Sequence, residues 1–583
     1  MTLRSLFGAL VALCSLAAAT AATSELQSLM KQANENYEPF QKAIMVGKAA
    51  DTEPTKSVQR PQPTPRPRPT PPTRPFTIIV TNTNDNGPGS LRQALADAPD
   101  GYTIIFSITG TIGLTSGELL VDKFIYISGP GADTLAVDGG ATARVFHIGA
   151  GKSVVISGMT IMNGNTCCSF PNGGGVYNDH ATLRINDCAI SGNVAINGGG
   201  VYNDGSNGVA TAVINNTTFT NNSASNGSGG AIYNSGYSGV GNLIVQTSTL
   251  SGNSAMNGGG AGVANDQATA TLNNCVVAGN SAGGGGAATN GGYLGGYAQL
   301  EIIDSILSDN SAFNVGGAIL NGGTAAGTAT VSISGSTVSG NSAGNVGGGI
   351  LSSESDNGAV NLQITSSTLS GNSAGNVAGG IENSALTGTA NVYISNSTIS
   401  GNSADNGGGG VVSTGGFPPS SNATVNLYIT NTTFSGNSSP NGGGAISSGG
   451  IYGTNPIVSL SNTILNAGTS GPNIDGEGTV MSLGYNLSSD DGGGHLTGPG
   501  DQVNTDPLLG PLQNNGGPTL THALVAGSPA IDAGDPSFTP PPFYDQRGPG
   551  FNRVVNGRID IGSFEVQIPT GTTRPTATPL TNR

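Results

Sequence analysis

Two glutamates in neighbouring repeats of the chain are the first residues whose type and spacing could support catalysis. Glu354 and Glu382 both lie near the third apolar segment of a repeated unit. Hydrolysis of a glycosidic bond with inversion requires only two carboxyl groups, about 6.5–9.5 Å apart. Acids on the surface of a repetitive chain are mostly solvated, however. The sequence therefore predicts no catalytic residue, with Glu354 and Glu382 as the candidates to examine.

Three aspartates share one position of the repeat. Asp179 and Asp204 come from consecutive repeats, and Asp266 lies two repeats after Asp204. Stacked carboxylates offer the hard oxygen ligands that Ca²⁺ prefers, but the ion takes about six to eight of them and no D-x-D-x-D-G loop is present. We expect no cofactor, and Asp179 and Asp204 are the candidates for a calcium ion.

Gly-Asn-Ser-Ala-Gly occurs at 279–283, 340–344 and 371–375 and matches the G-x-S-x-G pattern of serine hydrolases. A nucleophile elbow requires a strand-to-helix turn with histidine and acid partners. These serines recur in repeat after repeat, and the only histidines after His180 are His495 and His522. The motif is therefore interpreted as a turn.

The densest set of mixed charges lies near the C-terminus. Ion pairs that hold an irregular cap explain such a set better than catalysis does, so replacement of these residues should first lower stability. The set comprises Asp532, Asp545, Arg547, Arg553, Asp560 and Glu565.

The charge balance excludes several partners. The formal net charge is −15, and no Lys or Arg occurs between Arg184 and Arg547. Nucleic acids and anionic membranes are bound through such cations. A lyase acting on uronates also needs a cation to stabilise the enolate and usually a basic residue. Nucleic-acid binding is therefore excluded for the repeats, and lyase chemistry is disfavoured.

The N-terminus has the layout of a secretory signal peptide, with Arg4, an apolar stretch over 6–19 and Ala-Thr-Ala at 19–21. No other segment is apolar enough to span a bilayer. The mature chain is therefore predicted to be exported, extracellular or at a bacterial cell surface or outer membrane. Cys188 and Cys275 are too far apart along the repeats for a disulfide, whereas pairing of Cys168 with Cys188 stays open.

The rest of the sequence is organised by one asparagine that recurs every 27 to 35 residues. An apolar residue stands three positions before each copy, and a second apolar column follows about ten residues later, with a second asparagine column two residues beyond it. Three short strands per repeat indicate an all-β, right-handed parallel β-helix in which the asparagines stack about 4.8 Å apart as a ladder. The main ladder is Asn165, Asn193, Asn222, Asn253, Asn280, Asn310, Asn341, Asn372, Asn402 and Asn437. The apolar residues before it are Met162, Ile190, Phe219, Leu250, Val277, Leu307, Val338, Leu369, Ile399 and Phe434.

A short helix with Ser90 as its N-cap is predicted to cover the first coil, and an irregular cap should cover the last. The predicted organisation is a signal peptide (1–22), a helical segment (23–58), a Pro-rich linker (59–76), an N-terminal cap with the first coils (77–158), the repeat body (159–465), a C-terminal domain (466–566) and a disordered tail (567–583).

Three sets of motifs resemble known families. Units with Gly-Gly-Ala-Ile-Tyr-Asn234 and Thr-Phe-Thr-Asn-Asn222 resemble the polymorphic outer membrane protein repeats of chlamydiae. Gly89-Ser-Leu-Arg-Gln-Ala-Leu95 and Gly129-Pro-Gly131 resemble exported bacterial β-helix proteins with a pectin-lyase-like fold. The tail is similar to the choice-of-anchor Q domain, through Gly516-Gly-Pro-Thr519, Ser528-Pro-Ala-Ile-Asp-Ala-Gly534, Asp545-Gln-Arg-Gly548 and Asp560-Ile-Gly-Ser-Phe-Glu565.

These resemblances imply a secreted or cell-surface protein without enzymatic activity, acting in adhesion or matrix interaction as a monomer. Its expected partners are an extracellular polysaccharide or a component of a host or matrix surface. The alternative is a polysaccharide-degrading enzyme, a glycosidase or a lyase, of the pectin-lyase-like fold. Functional residues are expected in the parts that do not repeat, such as the loops after the third strand.

Overall fold

The computed structural model describes residues 76–166, 171–415, 422–450 and 455–567, and it confirms an all-β parallel solenoid. The predicted signal peptide, the N-terminal helical segment, the Pro-rich linker before Phe76, Cys167, Cys168 and the tail after Gln567 lie outside the described residues. The coils contribute strands to four parallel sheets, in the chain order sheet 1, sheet 2, sheet 3 and sheet 4, and eight of the coils have a strand in sheet 3.

Sheets 1 and 2 form two long faces of the solenoid. Sheet 1 has 15 strands: Thr77–Val80, Thr103–Phe106, Ile125–Ser128, Ser153–Ser157, Thr182–Asn186, Val209–Asn215, Val240–Gln246, Thr269–Asn273, Tyr297–Ile303, Thr328–Ser334, Ala359–Thr365, Thr389–Ser395, Thr424–Thr430, Ile457–Ser461 and Thr479–Gly484. Sheet 2 has 14 strands: Gly110–Gly113, Leu135–Asp138, Thr160–Met162, Ala189–Ser191, Thr218–Thr220, Thr249–Ser251, Val276–Ala278, Ile306–Ser308, Thr337–Ser339, Thr368–Ser370, Thr398–Ser400, Thr433–Asn437, Ile464–Ala467 and Leu487–Ser488.

Sheets 3 and 4 complete the coil. Sheet 3 has eight short strands: Val194–Ala195, Ser223–Ala224, Ser254–Gly259, Ser281–Gly284, Ser311–Val315, Ser342–Ala343, Ser373–Ala374 and Ser403–Ala404. Sheet 4 has 13 strands: Leu119–Val121, Phe146–Ile148, Val176–Asp179, Val201–Asp204, Ile232–Ser235, Val263–Asp266, Ala288–Tyr293, Ile319–Thr324, Ile350–Ser355, Ile381–Ala385, Val411–Gly415, Ile446–Gly450 and Ile474–Asp475. Sheet 3 is an addition to the three strands per repeat that the sequence predicts.

The interior of the solenoid is a continuous stack of aliphatic side chains. Ile190, Phe219 and Leu250 are register partners in successive strands of sheet 2, and all are fully buried. Because the strands stack in register, each side chain contacts its counterpart one coil away. Burial of a large aliphatic side chain contributes about 1.5–3 kcal/mol, so this column is a main source of stability.

The asparagine ladder satisfies every polar atom of its buried amides. In the coil of Asn222, Nδ2 donates both to Oδ1 of Asn253, at 3.0 Å, and to the carbonyl of Ile190, at 2.8 Å. Oδ1 of Asn253 also accepts the backbone N–H of Asn222. The eight bonds from Asn193 to Asn437 are 2.8–3.0 Å long. Gly252, with φ of 63°, makes the turn before the amide, a backbone conformation that favours glycine.

The prediction is wrong at the first rung of the ladder. Asn165 pairs with Val194, and it is the N–H of Gly164 that donates to Oδ1 of Asn193. The inward position of this coil is correspondingly Ile161, the register partner of Ile190, instead of Met162. The coil before Asn193 is offset by one residue, so the ladder begins at Asn193.

The second asparagine column forms a shorter ladder. Nδ2 of Asn178 donates to Asn203, and the series continues through Asn234, Asn265 and Asn290 to Asn321, with distances of 2.6–3.0 Å. Ser352 then takes the position and accepts from Asn321 at 3.1 Å. Asn383 in the following coil bonds to Ser413. Hydroxyl groups therefore replace amides in the last coils.

The N-terminal end of the solenoid is covered by a helix, as the sequence predicts. Helix α1, Leu91–Asp97, begins at Ser90, whose side chain accepts from the N–H of Gln93, and buries Leu91 and Leu95. Among the described residues, no helix is long and apolar enough to cross a membrane. The parallel strands continue to Ser488, within the range that the sequence assigns to the C-terminal domain.

The irregular C-terminal cap lies along the side of the solenoid. Its antiparallel strands are Leu509–Gln513 and Thr521–Leu524, and a 3-10 helix, Gly492–Gly494, precedes them. The cap bonds to four consecutive coils, at the outer face of sheet 2 in three of them and at the turn before sheet 2 in the fourth. These bonds join Thr368 to Leu520, Thr398 to Gln546, Thr433 to Ser563 and Asn462 to Asp535.

Cys188 and Cys275 are both free thiols buried beside sheet 1. Each donates to a backbone carbonyl two residues earlier, Asn186 and Asn273 respectively. Burial raises the pKa of both thiols, to about 11 for Cys188. The two cysteines therefore act as small apolar residues of the interior.

Candidate functional site

Glu354 is a buried anchor for the loop of the next coil. Its Oε2 accepts the backbone N–H groups of Leu386, Thr387 and Gly388 at 2.7–3.1 Å, and Oε1 accepts the N–H of Gly358. A carboxylate that is only 1% exposed and holds four N–H groups has no room for a substrate. The role of Glu354 is structural.

Glu382 is buried beside apolar neighbours. Leu351 and Val412 are its register partners in sheet 4, and Oε1 accepts the hydroxyl of Thr414 at 2.7 Å, whereas Oε2 has no hydrogen-bond partner. Burial raises the pKa of this carboxyl to about 8, against a weaker lowering by the Thr414 hydroxyl. Glu382 is therefore largely protonated at neutral pH.

The two glutamates do not form a catalytic pair. Ile350 and Ile381 are register partners that point into the core, and residues at even spacing along a strand share one face. Glu354 lies four residues after Ile350, on the core side, whereas Glu382 lies one residue after Ile381, on the outer side. Because the side chains leave opposite faces of sheet 4, they cannot flank one glycosidic bond.

The three aspartates form part of a strip on the outer face of sheet 4. Asp179, Asp204 and Asp266 share one register position, as the sequence predicts, with Ser235 between the last two. The hydroxyl of Tyr177 donates to Oδ2 of Asp204 at 2.6 Å. Each of these carboxylates is thus engaged by a neighbouring side chain.

Tyrosine rings lie beside the aspartates along the same strip. Tyr202 and Tyr233 stack with centroids 5.0 Å apart, and Tyr177 lies tilted 5.7 Å from Tyr202. The hydroxyl of Tyr233 donates to Asp266 at 2.6 Å. Burial, together with Asp266, raises the pKa of Tyr233, so all three phenols remain protonated at neutral pH. We call these residues, with His147, the acid–aromatic strip.

The arrangement does not resemble a calcium site. Within the described ranges, no group of three or more His, Cys, Asp or Glu side chains is placed to hold a metal ion. Asp179 bonds to Nδ1 of His180, and Asp204 accepts from Tyr177 and from the N–H of Ser206. Both residues predicted as calcium ligands are thus engaged in hydrogen bonds with neighbouring residues.

An open depression of about 390 Å³ lies at the N-terminal end of the strip. Its wall carries the carboxylate of Glu118, the guanidinium of Arg144 and the imidazole of His147, and Leu120 lies exposed beside them. Its lining is Glu118, Leu120, Arg144, His147, Pro171, Asn172 and Tyr177. A volume of this size suits a small ligand or one sugar unit of a polymer.

Glu118 holds two cationic or polar partners at once. Its Oε2 contacts Nη1 of Arg144 at 2.5 Å, and its Oε1 lies 3.0 Å from Nδ1 of His147. Burial alone would raise the pKa of Glu118, but His147 and Arg144 outweigh it and lower the pKa. The bond to Glu118 places the imidazole proton on Nδ1 in the neutral form, so Nε2 is left as an acceptor.

The network extends into the next two coils. Nε2 of His147 lies 3.7 Å from Oδ2 of Asp179, and Asp179 bonds to His180, whose Nε2 lies 2.7 Å from the carbonyl of Ser206. The Ser206 carbonyl and Asp179 raise the pKa of His180. Glu118, His147, Asp179 and His180 therefore form a row of alternating carboxylates and imidazoles, of which Glu118 and His147 line the depression.

A second depression, of about 360 Å³, lies among the loops that follow sheet 4. Gly236, Gln267, Gly296 and Tyr297 are part of its lining, and its lining includes no ionisable side chain other than Tyr297. The sequence predicts functional residues in these loops, but this depression lacks the charged side chains that catalysis or the binding of a charged ligand would need.

The charged residues of the tail form the interior of the C-terminal cap. Arg547 pairs with Asp545 at 2.6 Å between the rings of Phe551 and Phe564, 4.0 and 3.8 Å from its guanidinium carbon. The fully buried Arg553 donates to the carbonyl of Gly562. These contacts are structural.

The acidic members of the tail are likewise engaged by backbone groups. Asp560 accepts the N–H of Asp532, and Glu565 accepts that of Asp560. Burial raises the pKa of Glu565 to about 9, and the nearby Asp560 adds to the shift. The cap therefore holds Glu565 in its protonated form.

Sequence reasoning missed Glu118, Arg144, His147 and Tyr177 as a group. A signal was available, because Gly-Val-Tyr-Asn-Asp occurs at both 175–179 and 200–204 and repeats an aromatic and an acid on the outer side. Glu118, Arg144 and His147 precede the regular repeats, and only the coil stacking brings them together.

The structure is similar to several solved β-helix structures at low identity. A crystal structure of pectate lyase Pel9A matches with 13% identity over 85% of this chain and 98% of that chain, at a TM-score of 0.27. The A-modules of the Azotobacter vinelandii mannuronan C-5 epimerases AlgE6 and AlgE4 match with 14% and 12% identity, over 67% of this chain and 92% and 93% of theirs, at TM-scores of 0.28 and 0.21. Similarity at this level transfers no site or activity.

No protein family model and no curated protein sequence matches the chain. The resemblances to chlamydial repeats and to the choice-of-anchor Q domain stay predictions. The fold and the site define a parallel β-helix that carries an acid–aromatic strip on one outer face.

Proposed function

We propose that the protein is a secreted or cell-surface β-helix without enzymatic activity, and that it mediates adhesion or matrix interaction by binding a glycan. The observation that carries the proposal is the open depression of about 390 Å³ at the end of the acid–aromatic strip. It combines apolar and aromatic surface with hydrogen-bonding groups, the combination that sugar rings require.

The absence of turnover is supported by the candidate carboxylates. Glu354 is saturated by backbone N–H groups, and Glu382 is buried on the other face of sheet 4. The carboxylate of Glu118 is committed to Arg144 and His147. Hydrolysis requires two carboxyl groups that are both open to one glycosidic bond, and no two of these three glutamates meet that requirement.

Binding is tested with the purified chain on a panel of immobilised polysaccharides, comparing wild type with Tyr177→Ala. A matched control is Tyr393→Ala, because Tyr393 stacks on Tyr428 in sheet 1, away from the depression. We expect retention of at least one polysaccharide by wild type and by the control, with about tenfold weaker retention by Tyr177→Ala. Equal retention by all three proteins would contradict the proposal.

The same panel separates binding from catalysis. Each polysaccharide is incubated with the chain and analysed for shortened or unsaturated products. If products form and their formation is lost in Glu118→Gln or His147→Ala, the chain is an enzyme and the proposal is overturned. Cellular fractionation and adherence of protein-coated beads to cells or matrix test location and adhesion.

A further inference from the structure

A histidine at the end of a sheet 4 strand bonds to a loop of the next coil. His180 directly follows one strand of this sheet, and the loop 205–208 follows the next strand. Nε2 of His180 lies 2.7 Å from the carbonyl oxygen of Ser206, and Nδ1 contacts Oδ1 of Asp179. One imidazole thus joins two successive coils.

Both ring nitrogens of His180 face hydrogen-bond acceptors. A backbone carbonyl only accepts hydrogen bonds, and so does an ionised carboxylate. The imidazole therefore forms both bonds only when Nδ1 and Nε2 each carry a proton, which is its cationic form. In the neutral form one nitrogen presents a lone pair to an acceptor, so one of the two bonds is lost.

The surroundings of the imidazole favour the cationic form. The carbonyl of Ser206 and then the carboxylate of Asp179 raise the pKa of His180 above its ordinary value of 6.5, and burial lowers it by less. The charge of Asp204, in the next coil, raises this pKa as well. Two carboxylates and one carbonyl therefore stabilise the same imidazolium.

Other titratable groups of the neighbouring strands have other partners. In the preceding coil, Nε2 of His147 lies 3.7 Å from the second oxygen of Asp179, and Lys152 lies over an aromatic ring. In the same coil as the imidazole, the hydroxyl of Tyr177 donates to Asp204, and burial raises the pKa of this phenol, which stays protonated. The carbonyl and the two carboxylates therefore govern the protonation of the imidazole.

The loop 205–208 packs closely against this imidazole. Gly208 is required by the contact, because an added Cβ there would overlap the ring of His180. The N–H of Ser206 donates to Oδ1 of Asp204 at 3.1 Å, and its hydroxyl lies 2.8 Å from that of Ser235. Ser206 is thus held by the preceding coil through His180 and by the following coil through Ser235.

We propose that His180 is a proton-operated latch, which holds the loop 205–208 against the preceding coil while the imidazole is cationic and releases the loop when the imidazole loses a proton. Because the pKa is raised in the folded chain, the closed latch stabilises the loop at pH 6.5 and below, and this stabilisation is lost as pH rises through the folded pKa. The latch goes beyond the proposed function, since it does not depend on what the depression binds.

Hydrogen exchange of the full chain at about pH 6 and about pH 9 tests the latch, with each rate divided by the intrinsic rate at that pH. We expect the protection of 204–209 to fall by about tenfold from the lower to the higher pH in wild type. His180→Gln should remove this dependence on pH, and Gly208→Ala should give low protection at both values. The matched control is Gly322→Ala, which should behave as wild type because an added Cβ there meets nothing within 4 Å.

NMR of the chain with isotope-labelled histidine reads the imidazole directly, because the sequence has only four histidines. The signal that disappears in His180→Gln should show protons on both nitrogens at pH 6.5, and in Asp179→Asn it should lose one of them at a lower pH than in wild type. Circular dichroism establishes that each variant is folded, and Gly208→Ala and Asp179→Asn decide the matter if His180→Gln is not.

Three results would overturn the latch. The first is equal protection of the wild-type loop at both pH values, and the second is a His180 signal that is mostly neutral at pH 6.5. The third is protection that follows added calcium or its removal by EDTA instead of pH, because an ion between Asp179 and Asp204 would then hold the loop.

Discussion

Oε1 of Glu118 lies 3.0 Å from Nδ1 of His147, which comes from the next strand of sheet 4. The other oxygen of Glu118 pairs with the buried Arg144. A single carboxylate therefore binds two side chains that lie 26 and 29 residues further along the chain, and all three line the depression.

Replacement of Glu118 by glutamine should lower stability moderately. The change leaves the charge of Arg144 buried without its partner, but Glu118 is 33% exposed and water screens part of the loss. We expect the free energy of unfolding to fall by about 1–2 kcal/mol. Denaturant titration measures it, with Asp309→Asn as control; an unchanged midpoint would show that the ion pair contributes nothing.

A rung of the asparagine ladder should be more sensitive. Asn341→Ala removes an amide that bonds to Asn310, Asn372 and the carbonyl of Leu307, all of them buried. Each unsatisfied buried group costs about 1–3 kcal/mol, so the loss should exceed 2 kcal/mol. Asn345→Ala, a half-buried position of the same coil, is the control. Similar denaturation midpoints for the two variants would contradict a stabilising ladder.

Glu382 should make stability depend on pH. Burial raises its pKa to about 8 in the folded chain, above the ordinary value of 4.5, so the folded state holds a proton that the unfolded state releases. Stability therefore decreases as pH rises from 4.5 to about 8, by up to about 1.4 kcal/mol for each pH unit. Glu382→Gln should remove this decrease.

The measurement for Glu382 is the difference in denaturation midpoint between variant and wild type at several pH values. The difference should be small at pH 4.5 or below and should stop growing above about pH 8. A difference that is constant from acid to alkaline pH would show that Glu382 does not titrate in this way.

The attachment of the cap should weaken in acid. His522 is buried, its Nδ1 bonds to the carbonyl of Gly510, and its Nε2 lies 2.9 Å from Oγ of Ser400. Burial lowers its pKa, and the Gly510 carbonyl offsets this only in part, so stability is lost as pH falls below 6.5 through the folded pKa. Hydrogen exchange over 509–524 should accelerate between pH 7 and 5 relative to the intrinsic rate. Persistence of this acceleration in His522→Gln would point to another group.

The fold could be predicted because the same side chains recur at the same place in every coil. Ile190 and Phe219 are predicted as interior residues because an apolar residue must fill that position each time. The one-residue error at Asn165 arose because Ile161 and Met162 are both apolar, so the pattern allows either register. Sheet 3 was missed since strands such as Ser223–Ala224 have two residues and no hydrophobic signal.

The site was harder to predict because its contacts cross coils. Glu354 and Glu382 are close in repeat position, and only the alternation along the strand separates their faces. Glu118 lies outside the regular repeats, and its partners Arg144 and His147 are 26 and 29 residues away. No local spacing signals such a group.

The cap that crosses four coils has a mechanical consequence. Under tension, coils of the body can detach one after another, because each is held by its two neighbours alone. Four consecutive coils near the C-terminal end are fastened together by Thr368, Thr398, Thr433 and Asn462 through the cap. When the chain is pulled from its ends, it should therefore lengthen in single-coil steps that begin on the N-terminal side. A force–extension trace that starts with the rupture of the cap would contradict this order.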